Sequence, residues 1–230
     1  MFRVAVVLLG LVALAGSPSA VAQVDPAPGS LMARFSAKPV RMPSSYVARR
    51  HLAAENTRFG KSGWIDVITE FQGGRLTYKV TGRGGSELVQ NRVLLAALDG
   101  ERELWAKGSA HFAFTDANYR FDDAAAGDGA LPRIRLTPRR QDERLIDGWL
   151  FVTPAGDVTQ VSGRLAKSPS FWTRSVTLTQ SYTTVGGALL PVSVKSVADV
   201  RMAGRSTFAM TYEYDMVDGV SGNPTFSTIR

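Results

Sequence analysis

The sequence predicts a mainly β fold of the α+β kind: a strongly curved antiparallel sheet or open barrel, covered by one long helix or a broken helix pair. Three patterns predict it. Between Trp172 and Met216, apolar and polar residues alternate in three consecutive runs. Val176, Leu178 and Tyr182 oppose Ser175, Thr177, Thr179 and Ser181; Leu190, Val192 and Val194 repeat the pattern, as do Phe208, Met210, Tyr212, Tyr214 and Met216. Period two marks a half-buried antiparallel strand. Shorter β-rich runs recur before this stretch, roughly 8 to 12 residues apart with turn signals between them. Only one segment, 87–107, carries a strong helical period. A sheet with one greasy face needs something over that face, and what covers it is the functional question.

Taken in order, the chain opens with Arg3, an apolar run over 4–15 and the small residues Ala20-Val21-Ala22. Residues 1–22 therefore read as a cleaved secretory signal, since the apolar run is shorter than the roughly 20 residues needed to span a bilayer. Pro26, Pro28, Gly29 and Pro39 make 23–43 a flexible lead-in. The domain proper runs over 44–219, and 220–230 is a loose tail. At 46–59 the pattern is ambiguous between helix and strand; the turn signal over 60–63 and the β-rich 64–71 favour a hairpin. Gly73-Gly74 closes a second hairpin into 75–81, where Leu76, Tyr78 and Val80 alternate with Thr77 and Lys79. Gly82 to Gly85 then reads as a tight turn that ends the strand, and Ser86 as the cap of the helix. Along that helix Val89, Val93, Ala96, Ala97 and Leu104 share a face, with an interruption expected at Gly100. Strands are expected again over 110–115, 119–121, 131–137, 145–153 and 158–165.

Composition and motifs exclude more than they assign. The chain has 230 residues, 44% hydrophobic and 20% charged, which suits one globular domain. No cysteine is present, so neither a disulfide nor a lipid on a cleavage-site cysteine is available. Asn56, Asn91 and Asn118 lack the third residue of a glycosylation acceptor, and Asn223 is followed by Pro224. A signal without disulfides or acceptors fits a Gram-negative periplasm. The net charge is +7, or +6 once Arg3 leaves with the signal, and it favours anionic partners such as phospholipid headgroups. The two histidines, His51 and His111, have no metal-ligand spacing, and the nucleophile elbow of the hydrolases is missing. No catalytic residue, metal or cofactor is therefore assigned. Asp122, Asp123 and Asp128 lie in a glycine-bearing stretch that lacks the spacing of a calcium loop. Arg133 and Arg135 alternate with Ile134 and Leu136 and could meet anionic headgroups; Arg139, Arg140 and Arg144 extend the patch. Nothing aromatic is interleaved there, which argues against nucleic acid.

The signal, two early hairpins, a helix after 78–81, V-G-G-A-L-L-P over 185–191 and M-T-Y-E-Y over 210–214 together resemble the LolA/LolB-like superfamily of periplasmic lipoprotein carriers. The outer-membrane lipoprotein-sorting-like proteins and the RseB N-terminal domain are wider relatives. The resemblance implies a half-barrel closed by helices over an apolar cavity that accepts acyl chains.

The expectation is thus a non-enzymatic periplasmic protein holding a lipid, acyl chain or lipidated ligand between helix and sheet. Tyr78, Val80, Val89, Val93, Ala97, Val176, Leu178, Val192, Phe208, Met210 and Tyr212 are the expected lining, with Arg133 and Arg135 at the headgroup. The alternative from a different class is an envelope protein–protein interaction or structural module without a small ligand. A third, a hydrolase built from scattered side chains, stays open because a fold can bring distant residues together. Peripheral contact with a membrane is compatible with all three.

Overall fold

The computed structural model describes residues 30–38, 41–106, 114–124 and 131–222. The signal, His111, most of the aspartate-rich loop and the end of the tail lie outside those residues. Among the described residues, eleven strands form one antiparallel sheet: β1 (Ser45–Asn56), β2 (Lys61–Gln72), β3 (Arg75–Gly85), β4 (Tyr119–Ala124), β5 (Arg133–Pro138), β6 (Ile146–Val152), β7 (Val158–Leu165), β8 (Thr173–Val185), β9 (Ala188–Val200), β10 (Gly204–Val217) and β11 (Val220–Ser221). The order β3-β2-β1-β10-β9-β8-β7-β6-β5-β4 leaves β3 and β4 as edges, with β11 paired to β10. The sheet is therefore open, as the alternation predicts. Sequential hairpins build both halves, and β1 meets β10 in the middle along a register from Tyr46 opposite Val217 to Asn56 opposite Ser206.

One continuous helical segment covers part of the sheet. It begins at Glu87–Val89, passes through a π-type turn at Gln90–Leu94 and continues as Leu95–Ala106. The expected break at Gly100 is absent. The irregularity falls instead at the wide turn, where the Gln90 amide reaches back and donates to the carbonyls of Gly84 (2.9 Å) and Gly85 (3.2 Å). Ser86 occupies the N-cap position without a side-chain capping bond.

Four further expectations are corrected. Gly82 to Gly85 is no turn but the end of β3. A Cβ at Gly84 would lie 2.6 Å from the Trp64 indole nitrogen, so the missing side chain seats that ring against the strand. Within the lead-in, Leu31–Ser36 forms a short helix, capped by the Ser30 hydroxyl, that buries Met32 and Phe35. Phe114 and Thr115 lie in a bend rather than a strand. The expected tail is not loose at its start: Val220–Ser221 is a short strand paired with β10, Val220 opposite Val217 and Ser221 opposite Met216.

Two apolar cores lie along the sheet. The first joins β1, β2, β3, β9 and β10 to the long helix through Leu52, Ile65, Leu94, Leu98, Val194 and Met210 among others. The second joins β4 through β8 to the short helix and Phe114 through Tyr119, Ile134, Leu150, Val161, Val176 and Leu178 among others. The long helix thus packs on the first core, and the short helix on the second.

Candidate functional site

On β1 the inward phase is Tyr46, Ala48, Arg50, Leu52 and Ala54. Arg50 therefore projects into the first core, where an unpaired guanidinium would be costly. It donates to Glu101 of the long helix through Nη1 (2.6 Å to Oε2) and Nη2 (3.3 Å to Oε1), and to the Tyr46 hydroxyl through Nη2 at 2.8 Å. Its guanidinium carbon lies 4.6 Å from the centroid of the Tyr212 ring. The Arg50 side chain is 0% exposed and that of Glu101 7%. Burial is the largest single influence and opposes the charge on Arg50, but its neighbours, the Glu101 carboxylate foremost among them, together outweigh it and hold the guanidinium protonated well above its ordinary value. Burial also pushes the phenols of Tyr46, Tyr212 and Tyr214 upward, so they stay neutral.

The pair is the centre of a seam that ties helix to sheet. The Gln90 amide holds its start to the end of β3. Two residues before Glu101, the Tyr78 hydroxyl on β3 donates to Asp99 at 2.8 Å, and Arg102 bridges to the same carboxylate at 3.0 Å. Near the helix end Trp105 packs on Phe71, with ring centroids 4.4 Å apart. A groove of about 400 Å³ opens in the same region, lined by Ser45, Tyr46, Val47, Phe71, Arg75 and Met216 among others.

A second polar feature lies between the two cores. On β8 the inward phase is Val176, Leu178, Gln180 and Tyr182. Pairing sets Gln180 opposite Val161 of the second core on one side and Val194 of the first on the other. Gln180 is 0% exposed, and neither its amide nitrogen nor its oxygen has a hydrogen-bond partner; the buried Tyr182 hydroxyl also lacks one. Native interiors rarely leave such groups unsatisfied.

The expected lining residues are divided by this arrangement. Val89, Ala97, Phe208, Met210 and Tyr212 are buried together in the first core, with Val93 and Tyr78 half-buried against it. Val176 and Leu178 belong to the second core. Val80 shares the Tyr78 face but is 37% exposed on the edge strand β3. Val192 is half-buried and belongs to neither core, because a register shift between Ser181 and Tyr182 puts it at a bulge. Arg133 and Arg135 flank Trp149, at 4.4 and 5.4 Å from its ring centroid. Arg135 is already engaged, donating to Asp147 and to the carbonyls of Leu136 and Gly148. Its charge is thus largely neutralised, which weakens it as a headgroup contact. A polar hollow of about 380 Å³ nearby is lined by Thr137, Gln141, Asp147, Arg164 and Arg174 among others.

His51 stands on the outer phase of β1, its Nδ1 2.7 Å from an Asp66 carboxylate oxygen. Among the described residues no group of three or more His, Asp or Glu is placed to hold a metal ion. Also among them, no helix is long and apolar enough to cross a membrane.

No protein-family model and no curated protein matches the sequence. Among solved structures, the chain is similar to a LolA superfamily protein from Nitrosomonas europaea, with 12% identity and a TM-score of 0.36, over 80% of this chain and 91% of that one.

Proposed function

We propose that residues 44–219 form a non-enzymatic periplasmic binding domain for an amphiphile, a lipid or a lipidated ligand, exported by the signal at 1–22. The apolar part of the ligand enters between the long helix and the curved sheet, and its polar part meets Gln180 and Tyr182. The observation that carries this reading is the pair of buried, unpartnered side chains at the junction of the two cores. A ligand amide, ester or hydroxyl there would satisfy both, while its chain lies along the apolar face.

The helix must lift to admit such a ligand, and the seam is suited to that. An apolar seam loses favourable burial when it opens. The Arg50–Glu101 pair instead regains hydration on both charges, so separating it costs less than its short distances suggest. The pair therefore favours a cover that fits closely yet opens.

Uptake of a fluorescent long-chain fatty acid tests the reading. Saturable binding is expected, weakened by about tenfold or more, roughly 1.4 kcal/mol, in Gln180→Leu, whose shape fills the site without the amide. The reading fails if the wild type shows no saturable uptake, or if Gln180→Leu binds like the wild type with its fold intact.

A further inference from the structure

We propose that one end of the sheet is a docking surface for an anionic phospholipid bilayer, formed by three adjacent turns. The turn after β1 carries Arg58 and Phe59, with Lys61 opening β2; the loop before β8 carries Lys167, Phe171 and Trp172, with Arg174 at the start of β8; the β9–β10 turn carries Arg201 and Met202, with Arg205 at the start of β10. These turns are joined. The Asn56 side-chain amide donates to the Ala203 carbonyl at 2.9 Å, and the Thr57 backbone N–H to the Arg205 carbonyl at 3.3 Å. The Arg201 amide donates to the Trp172 carbonyl at 2.7 Å.

What these turns expose is unusual in kind. Phe59 is 58% exposed, Phe171 75%, Trp172 45% and Met202 69%. Isolated exposed apolar residues need no explanation, but four large ones on joined turns form a patch. The Phe171 ring meets Trp172 edge-on at 5.6 Å and lies 4.8 Å from the Arg201 guanidinium, so the rings and the cation are held together. Met202 keeps a positive φ of 66° at the tip of its turn, a conformation rarely adopted by a residue other than glycine.

Charge identifies the occupant. Arg58, Lys61, Lys167, Arg174, Arg201 and Arg205 are all exposed, and the segments 57–61, 167–174 and 201–205 contain no Asp or Glu. Aromatic rings among cations match the layered chemistry of a bilayer surface: rings settle at headgroup depth, and cations meet the phosphates. A protein partner of comparable area would want a closed apolar core with few charges, which suits these turns less well. The surface does not depend on the ligand site, because its turns are separate from Gln180 and the Arg50–Glu101 seam.

Flotation of the full chain with phosphatidylcholine vesicles, with and without phosphatidylglycerol, is the test. Binding is expected only with the anionic lipid and is expected to weaken as salt rises. The triple variant Phe171→Ser, Trp172→Ser, Met202→Ser should lose at least about tenfold of that binding with an unchanged melting temperature, since all three side chains are exposed. Lipids brominated in the upper acyl chain should quench the wild type, and Trp172→Phe should remove that quenching. Binding that ignores phosphatidylglycerol, binding retained in the triple variant, or quenching retained in Trp172→Phe would each overturn the proposal. So would retention by an envelope protein with no vesicle binding.

Discussion

At the scale of single residues, Arg50 and Glu101 are the side chains on which the helix interface turns. Neither is stabilising merely because it is paired, since burying both charges costs much of what their attraction returns. Removing one is a different matter. Glu101→Ala leaves a guanidinium in the core with only the Tyr46 hydroxyl and the Tyr212 ring around it. It is expected to cost about 3–5 kcal/mol, read as a fall in the denaturation midpoint without a change in slope. The double variant Arg50→Met, Glu101→Leu should recover most of that loss, because apolar groups of similar size leave no charge unpaired and only the Tyr46 hydroxyl loses its Arg50 donor. If Glu101→Ala melts like the wild type, the pair does not hold the helix. Arg50 was readable in principle: in Y-V-A-R-R-H-L-A-A, a strand phase places it between Ala48 and Leu52 on the apolar side. The same stretch also satisfies a helical pattern, and under that pattern the position carries no signal. Gln180 likewise stands in phase with Leu178 and Tyr182, but one polar residue in an alternating run reads as noise until its neighbours are known.

Among the elements, the strands were largely legible because alternation is a local property; β2, β6, β7 and β10 lie within a few residues of the expected runs. The misreadings cluster at glycine. Gly82 to Gly85 reads as a turn in the sequence, yet it ends a strand; Gly163, inside β7, shows the same use of glycine. A Cβ at Gly163 would come within 2.5 Å of the Asp147 carbonyl oxygen, so the glycine marks close backbone approach rather than a turn. Which of these uses a glycine serves depends on the neighbouring strand, and the chain alone does not disclose that neighbour. The helix also holds a prediction tied to pH. Burial first, and then the bond to Asp99, push the Tyr78 phenol from 10.0 up to about 12. A phenol raised in the folded state contributes its full stability below the unfolded value, and that contribution is lost as pH climbs towards the folded one. Helix amides should therefore exchange progressively faster between about pH 10 and 12, beyond the intrinsic acceleration by base. Tyr78→Phe should flatten that added dependence. An identical profile in the variant would mean that the tether to β3 plays no part in holding the helix.

For the molecule as a whole, two cores on one open sheet raise the question of whether the halves unfold separately. The strands argue against it. On β9, Leu189 points into the second core and its neighbour Leu190 into the first; on β8, Val176 and Leu178 serve the second core and Val185 the first. β8 and β9 are themselves paired along almost their whole length, from Thr173 opposite Val200 to Val185 opposite Ala188. Neither core can lose its order without disturbing a strand that supports the other. Leu98→Ala in the first core and Leu150→Ala in the second should each cost about 2–5 kcal/mol, both within a single transition. Trp105 on the long helix and Trp149 on β6 give each half its own reporter, through variants that keep one or the other tryptophan. The two signals should move together in every variant, with calorimetric and van't Hoff enthalpies in agreement. Should Leu150→Ala release Trp149 while Trp105 stays in its packed environment, the halves are independent. The junction at Gln180 would then be a boundary between two folding units rather than the interior of one.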